Sequence, residues 1–433
     1  MALGGGRFTS MNKILPGTYI NVITNSSENY GIESGVVAIP LCLNWGPQAS
    51  IIEITSDDFT GKCFEKLGYE NSAAAMQPLR ELFKGGATKV LIYNLNNGAK
   101  ATNTYATAVY AGTRGNDIKI KIANNVDDIT KFDVVTIVDD IDRETQTVTA
   151  ATALKDNEWV EFDTTATLAV TAGLPLTGGT NGTITGTQHS AALAALEQKF
   201  FNVLVCDVVN STAVNIYVAY VKRMRDAMGK DFQLVVYNTE ADYEGVINVA
   251  TTVSDAGAIA SALVYWVAGM SASCALGKSN TNALYTGEFT PVCNETQTQL
   301  ENAIKAGKFI FHLVGDDTRV LMDINSLVTF TEDKSSVMAK NEVIRVTDYL
   351  NNSIANIFNS KYIGKVINNE TSRAHLRQDI AAIQDELARI GAISYNGEDL
   401  TVALGPDKGD VVINDVITVN AAMVRLYMTI VVQ

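Results

Sequence analysis

Runs of apolar residues mark both ends of the chain as β-strands. Near the start, residues 15–24 read LPGTYINVIT, and their side chains alternate between two faces from Tyr19 to Ile23. Near the end, residues 425–432 are almost unbroken apolar and β-branched, which is typical of a strand buried on both faces. Unpaired strands at chain ends pair with any nearby sheet, including that of a neighbouring copy. The pattern favours such exchange, and the alternative that both strands complete sheets of their own domain stays open.

Between these ends the pattern changes character. Residues 30–98 combine short apolar runs with a helical stretch at 72–83 that ends at two glycines, which predicts a small α/β domain. Residues 99–186 contain Thr-rich short strands separated by Gly, Asn and Asp turns. This second segment is typical of a separate β-sandwich or barrel, closed by the loop LTGGTNGTITG at 176–186.

The second half of the chain predicts α/β structure followed by helices and strands. A strand at 202–206, a helix at 212–228 and a strand at 232–237 form a βαβ unit within residues 187–330. Beyond residue 331, apolar side chains at helical spacing line two amphipathic helices. They are Val343, Val346, Leu350, Ile354 and Ile357 in the first helix and Leu376, Ile380, Ile383, Leu387 and Ile390 in the second. The predicted fold class is therefore α+β with several domains.

Composition narrows the class of protein. The 433 residues are 47% hydrophobic, enough to build several cores. Five cysteines without a C-x-x-C pair, and an N-terminus without a signal peptide's apolar core, predict a reducing cytoplasm. The net charge of −14 is the opposite of what a nucleic-acid binder carries. An uncharged stretch at 256–277 is long enough to span a bilayer, but its Ala, Gly and Ser content favours a buried helix plus a loop.

Motifs for catalysis are incomplete. The loop after the first strand of the βαβ unit reads DVVNST, without the glycines of a nucleotide fingerprint, and no P-loop sequence occurs. Asp207 and Ser271 suggest a subtilisin-type hydrolase, but no histidine lies between His189 and His312 to complete a triad in that order. We therefore interpret Asp207 as a turn or helix-start residue and Ser271 as a packing residue, while a hydrolase with another triad order stays open.

Metal-binding patterns are incomplete as well. Acidic residues from Asp139 to Glu144 resemble the start of a calcium loop, but Thr145 and Ala151 stand where that loop needs Gly and Glu. A solvated hairpin turn explains these acids better. The three histidines are scattered singly and the cysteines lack partners at zinc spacing. We expect no metal and no cofactor.

A basic stretch runs through the two C-terminal helices. Between residues 334 and 377 the chain contains seven basic residues and three acidic ones. The basic residues are Lys334, Lys340, Arg345, Lys361, Lys365, Arg373 and Arg377. Such a stretch is commonly the solvated face of a helix. The alternative is a docking surface for an acidic protein partner.

Read together, seven segments resemble the contractile tail sheath subunit of phages and of phage-derived tailocins. The likeness runs nearly from end to end. The segments are MALGGGRFTSMNKILPGTYINV at the start, AVYAGTRGNDIKIKI at 108–122, LTGGTNGTIT at 176–185, YEGVINVAT at 243–251, YWVAGMSASCALGKSNTNALYTG at 265–287, VIRVTDYLNNSIANIFNSKYIGKVINNETSR at 343–373 and MVRLYMTIVV in the closing strand.

The resemblance implies a domain order. It implies an N-terminal arm (1–29), a small α/β domain (30–98), a β-sandwich (99–186), a subtilisin-like α/β domain without a triad (187–330), a C-terminal α/β assembly domain (331–412) and a C-terminal strand arm (413–433). The glycine-containing turns at 112–117 and 178–182 match turns of the family. We interpret those glycines as backbone permissiveness in tight turns and not as ligand binding.

The resemblance also implies assembly residues and partners. The arm strands map onto Pro16, Gly17, Tyr19, Ile20, Val22, Val424, Leu426, Tyr427, Met428, Ile430 and Val432. The family implies hexameric rings stacked helically around a tail tube, linked by strands lent to neighbouring subunits through flexible segments near 25–28 and 405–409. Partners would be other copies, the tube protein, and baseplate and tail-terminator proteins, with no nucleic acid and no membrane. Lys361, Lys365, Arg373 and Arg377 would form a basic surface facing the tube.

Two functions are consistent with the sequence. The first is a structural, non-enzymatic sheath subunit that assembles in the host bacterial cytoplasm and resides in a virion or tailocin tail. The second is a cytoplasmic α/β enzyme of hydrolase type that forms a small closed oligomer. They differ in whether removing residues 1–24 or 413–433 abolishes polymers.

Overall fold

The structure, a computed structural model, describes residues 33–432 and the backbone of two short strands before them. These strands, Gly5–Gly6 (β1) and Thr18–Tyr19 (β2), pair in parallel, with Gly5 opposite Thr18 and Gly6 opposite Tyr19. Pro16, Gly17, Ile20 and Val22, predicted as arm-strand positions, lie outside the described residues, as does the predicted flexible segment at 25–28.

The first described region alternates strands and helices. Its elements are Val36–Leu41 (β3), Ile51–Thr55 (β4), Ser56–Gly61 (α1), Cys63–Leu67 (α2), Gln77–Gly85 (α3) and Lys89–Asn94 (β5). Thr55 and Asp58 form a capping box that satisfies free N–H groups at the start of α1. Helix α3 ends at Gly86, whose φ of +111° favours glycine. The helix predicted at 72–83 is confirmed in its second half, since α3 begins at Gln77 and a short 3₁₀ turn at Ala74–Met76 precedes it.

The next region is the predicted β-sandwich. Its strands are Lys100–Thr102 (β6), Ala106–Ala111 (β7), Ile118–Asn124 (β8), Phe132–Val138 (β9), Ile141–Val148 (β10), Val160–Phe162 (β11) and Thr171–Pro175 (β12). One sheet has the order β10-β9-β8-β12 and the other has the order β11-β7-β6. In β8 the alternating residues Ile118, Ile120 and Ile122 are buried, so period-two patterning places one face of the strand in a shared core.

Residues 186–320 return to alternating helices and strands. Their elements are Gly186–Leu196 (α4), Val203–Val205 (β13), Ser211–Asp226 (α5), Gln233–Tyr237 (β14), Val246–Val249 (β15), Leu263–Ser273 (α6), Gln297–Lys305 (α7), Lys308–Phe309 (β16), Phe311–Val314 (β17) and Asp317–Val320 (β18). The predicted βαβ unit is confirmed by the parallel pairing of β13 with β14 on either side of α5.

A single seven-stranded sheet unites these two α/β regions into what we call the body. Its order is β16-β15-β14-β13-β3-β5-β4, parallel throughout except for the antiparallel edge strand β4. Helices α3 and α6 cover one face and α4 and α5 cover the other. Both faces are covered, and accordingly the central strands β3 and β13 are apolar throughout.

The sheet corrects the predicted division of the chain. Residues 30–98 and 187–330 were expected to be separate domains, but β3 pairs with β13 at the centre of one sheet, Val37 opposite Val203. The β-sandwich at 99–186 is an insertion between strands of that sheet. Pairing between strands about 165 residues apart leaves no local pattern in the sequence, which explains the error.

The C-terminal domain contains the two predicted amphipathic helices and four short strands. They are Asn341–Ile357 (α8), Glu370–Arg389 (α9), Ile393–Tyr395 (β19), Thr401–Leu404 (β20), Val411–Asn414 (β21) and Ile417–Val419 (β22). Buried Val346, Leu350 and Ile380 lie on the predicted apolar faces. Ile390 is a correction, since α9 ends at Arg389 and Ile390 is 44% exposed.

The start of the C-terminal arm is corrected too. The arm was expected at 413–433, but β21 pairs with β20 and β22 pairs with β19 of the same chain. The predicted flexible link at 405–409 is instead the hairpin turn between β20 and β21, where the Gly405 N–H donates to Asp410 O at 2.9 Å. The last part of the described chain, which forms neither strand nor helix, begins at residue 420.

The uncharged stretch at 256–277 is confirmed as a buried helix plus loop. It contains α6, in which ten of the eleven residues are buried. In the part of the chain that the structure describes, no helix combines the length and the apolar composition that crossing a bilayer requires.

Candidate assembly surfaces

The end of the chain is an apolar segment that pairs with no strand among the described residues. Residues 423–432, which we call the C-terminal arm, form no strand or helix in the described structure. The six large apolar side chains from Leu426 to Val432 are between 69% and 89% exposed. A strand buried on both faces was expected here, and in the described part of the chain that burial does not occur. Monomeric proteins rarely leave such a contiguous apolar surface open, and larger exposed apolar patches mark interaction sites.

The arm leaves the C-terminal domain from a fixed point. Asn420 donates its backbone N–H to Ala392 O at 2.9 Å and its side-chain amide to Gly391 O at 3.0 Å. Two residues later the Ala422 N–H donates to Glu342 Oε2 at 3.3 Å. We call residues 420–422 the arm root.

The same domain presents open sheet edges. Strands β19 and β22 form one two-stranded sheet, and β20 and β21 form another. Isolated two-stranded sheets are marginal in water, and each has outer edges with backbone groups available for pairing. Beside β21, an apolar groove is lined by Ile354, Ala355, Phe358, Val411 and Ile413. The C-terminal domain therefore combines an unpaired strand-like segment with edges of the kind that such a segment extends.

The basic stretch does not form one surface. Arg345 is buried and pairs with Asp323 at 2.7 Å, while Lys334 reaches Glu244 on the body. Lys340 lies 4.0 Å from Glu342. These three side chains therefore join the C-terminal domain to the body or stabilise its first helix, and only the four residues beyond position 360 fit the predicted tube-facing surface.

Those four residues surround the loop between α8 and α9. Lys361 pairs with Asp379 at 3.4 Å, and Arg373 donates to Asn368 Oδ1 at 2.9 Å. Lys365 and Arg377 are exposed, and each also donates to a backbone carbonyl, those of Ser360 and Leu400. An apolar groove borders them, with Ile363, Val366, Ile367, Arg373 and Lys408 among its lining residues. The surface is therefore mixed, basic at its rim and apolar within.

Two of the residues considered for a hydrolase site, Asp207 and His189, form hydrogen bonds to different tyrosines. Asp207 accepts from the Tyr265 hydroxyl at 2.8 Å, and burial raises the pKa of its carboxyl. His189 pairs with the Tyr217 hydroxyl at 2.8 Å, on the other face of the sheet, and burial lowers the pKa of the imidazole. Ser271 is buried within α6, as its interpretation as a packing residue requires. The described contacts thus do not join acid, imidazole and hydroxyl into a triad.

The acidic residues near Asp139 form the predicted hairpin turn. Asp139 and Asp140, with φ of +56° and +59°, connect β9 to β10 as a two-residue turn. Among the described residues, no group of three or more His, Cys, Asp or Glu side chains could hold a metal ion.

Arg114 links the β-sandwich to the body, a role that the sequence did not reveal. Its guanidinium makes two hydrogen bonds of 2.7 Å to Asp139 and donates from Nε to Gly68 O at 3.0 Å. It also lies 4.4 Å from the centre of the Tyr69 ring. The segment AGTRGND places this arginine between two glycines, in a turn that brings it against the body. Gly112 in that turn has φ of +134°, and a Cβ there would lie 1.9 Å from Asn44 O.

Four family models match consecutive parts of the chain. Residues 34–95 match the tail sheath protein Gp18 domain III N-terminal region, and residues 96–181 match the phage tail sheath protein β-sandwich domain. Residues 182–326 match the phage tail sheath protein central domain, and residues 333–433 match the phage tail sheath C-terminal domain.

Individual proteins agree with these matches. The chain is 32% identical to the phage-like element PBSX protein XkdK of Bacillus subtilis over 99% of both chains. It superposes on the sheath tail protein of Desulfitobacterium hafniense with a TM-score of 0.80 at 35% identity, covering 93% of this chain and all of the other. The anti-feeding prophage sheath in its contracted state, at 12% identity and a TM-score of 0.55 over 97% of this chain and 99% of that one, shares the fold.

Proposed function

This chain belongs to the phage tail sheath protein family, and from that premise we propose that it polymerises as stacked hexameric rings around a tail tube. In this proposal each subunit lends its terminal strands to sheets of its neighbours. Contraction of the polymer then drives the tube through the envelope of a target cell. Baseplate and tail-terminator proteins would bind the two ends of the sheath.

The observation that carries the proposal is the exposed C-terminal arm beside open sheet edges in the same domain. Added to an edge, the arm gains a ladder of main-chain hydrogen bonds and buries its apolar side chains. Burying one large apolar side chain stabilises by about 1.5 to 3 kcal/mol, so several of them per arm make a durable link between subunits.

Strand donation also explains why the polymer is open-ended. A donor segment at one place on the subunit and an acceptor edge at another form a heterologous interface. Such an interface forms a ring where the rotation between subunits closes, and otherwise it continues as an open helical tube. A closed dimer, by contrast, would satisfy the arms of two copies and stop growth.

Contraction is proposed to conserve these links while the rest of the subunit moves. Assembly on the tube would hold the sheath in a metastable extended state, and contraction would release free energy as new contacts between bodies bury surface. No nucleotide is required for this step.

The enzymatic alternative receives no support from the site geometry. Asp207 and His189 are each engaged with a tyrosine, Tyr265 and Tyr217 respectively. We therefore propose a structural role without catalysis for the subtilisin-like part of the chain.

Electron microscopy of two variants tests the proposal. Leu426→Asp combined with Ile430→Asp places charges on the arm, and Val126→Asp combined with Ile129→Asp places them on a sandwich loop whose two side chains are also highly exposed. We expect the full-length chain and the loop variant to form tubes, and the arm variant to remain as folded, unpolymerised subunits. Normal tubes from the arm variant would contradict strand donation. Compact closed particles from every variant would favour the enzymatic alternative.

A further inference from the structure

We propose that Glu342 positions the C-terminal arm by holding the backbone of the arm root. This inference rests on the proposed function, because it concerns the strand that each subunit lends to a neighbour. It assigns to Glu342 a role in setting the direction in which that strand leaves the C-terminal domain.

Hydrogen bonds hold the chain to the C-terminal domain as far as residue 422. Asn420 is anchored to Gly391 and Ala392, and its side-chain oxygen also lies 3.1 Å from Ser394 Oγ. Ala422 is partly buried and bonded to Glu342, whereas the next residue, Met423, is fully exposed. The boundary between fixed and free chain therefore lies between residues 422 and 423.

Glu342 is well suited to hold this boundary. Its side chain is buried, with only 3% of the residue exposed, yet it lies in the first turn of α8, where the helix N-terminus stabilises a carboxylate. Lys340 Nζ, 4.0 Å from Oε1, adds a positive charge nearby. A hydrogen bond from a backbone N–H to a carboxylate is stronger than one to a neutral acceptor.

The same helical turn is fixed to the body. Asn341 donates to Asp323 Oδ1 at 2.8 Å and accepts from Gln233 Nε2 at 2.9 Å. Asn341 is thus tied to the body and the adjacent Glu342 to the arm. The direction of the arm is therefore set relative to the body, and a donated strand of ten residues, about 33 Å when extended, reaches a defined place on its neighbour.

Three substitutions and one control test this role. Glu342→Ala removes the acceptor, Glu342→Gln keeps an acceptor oxygen without the charge, and Ala422→Pro removes the donor while leaving Glu342 in place. Glu370→Ala, an exposed glutamate in the first turn of α9, is the control. Two quantities are measured: hydrogen exchange of the amides at 420–424 in unpolymerised subunits, and the sedimenting polymer fraction.

We expect Glu342→Ala to raise exchange of the Ala422 amide about tenfold and to lower the polymer fraction, with the melting temperature of the body unchanged. Glu342→Gln should retain most of both properties. Ala422→Pro should lower the polymer fraction even if Glu342→Ala fails to fold. The control should match the natural sequence.

Unchanged exchange in Glu342→Ala, or normal polymers from Ala422→Pro, would overturn the role of Glu342. Failure of the proposed function looks different. In that case a variant ending at residue 422 would polymerise normally, while exchange at Ala422 would still report whether Glu342 holds the root.

Discussion

At the residue scale, Arg114 shows how one side chain determines the relation between two parts of the fold. It is buried, and its partners come from the β-sandwich (Asp117 and Asp139) and from the body (Gly68 and Tyr69). A buried guanidinium is tolerated only when most of its donors are satisfied, and here both sides contribute. The pair with Arg114 lowers the pKa of the Asp139 carboxyl through hydrogen bonding.

This pairing predicts a pH-dependent stability. Because the pKa of Asp139 is lower in the folded chain than in the unfolded chain, its contribution is present above about pH 4 and is lost as pH falls further. We expect Asp139→Asn to lower the free energy of unfolding by about 1 kcal/mol at pH 7, a value reduced because the side chain is partly exposed. The difference should shrink as pH falls below about 4 and through the lowered pKa of the folded Asp139 carboxyl.

Thermal unfolding across a pH series measures this effect. Asp140→Asn is the matched control, since Asp140 occupies the same turn with a similar φ but pairs with exposed Lys119. An Asp139→Asn deficit that stays constant as the pH is lowered would show that the pair with Arg114 is not its cause.

At the element scale, glycines allow α3 and α6 to cross closely. A Cβ on Gly269 would lie 2.1 Å from Leu82 O, and a Cβ on Gly85 would lie 2.4 Å from Trp266 O. Both obstacles are backbone atoms, which cannot move without shifting a helix. Gly269, one of the small residues that made residues 256–277 a weak membrane candidate, is thus explained by the close packing of α6 against α3.

Gly269→Ala should therefore destabilise the body. We expect a loss of about 2 to 4 kcal/mol in the free energy of unfolding, because the added methyl group forces α3 and α6 apart. Denaturant titration gives the value. Gly61→Ala is the control, since a Cβ there meets nothing within 4 Å. Equal stability of both variants would mean that the crossing adjusts at no cost.

At the scale of the whole molecule, arginine side chains join the body to the β-sandwich and to the C-terminal domain, whereas the C-terminal arm is held less firmly. The body and the β-sandwich share Arg114, and a buried bidentate ion pair joins Arg225 of the body to Asp348 of α8, at 2.6 and 2.7 Å. The C-terminal arm has only its root. We therefore expect the folded parts to move together as one unit, with bending confined to the arm beyond residue 422.

Attachment to the tube is predicted to depend on the basic surface around the α8–α9 loop. Charge reversal at Lys361, Lys365 and Arg373 should weaken binding of the sheath to the tube and leave sheath self-assembly intact, because the arm and its root are unaltered. Co-sedimentation with purified tubes measures binding. Reversal of exposed Lys155 and Lys305, on the β-sandwich and on α7, is the control. Unchanged tube binding by the triple variant would reject this surface.

The sequence alone determined the features that depend on nearby residues. Period-two and helical spacing located the β-sandwich strands and helices α8 and α9, and turn chemistry located the hairpin at Asp139 and Asp140. The apolar segment at the end of the chain was evident from composition. The resemblance to sheath proteins came from seven motifs in order.

Only the tertiary structure decided which distant elements share a sheet and which basic side chains pair with acids elsewhere in the chain. The pairing of β3 with β13, the burial of Arg345 against Asp323 and the bond from Ala422 to Glu342 join residues separated by between 22 and 166 positions. Periodicity reports which face of an element is apolar, but it does not report what that face packs against. That choice depends on the summed packing of the whole chain, which short patterns do not encode.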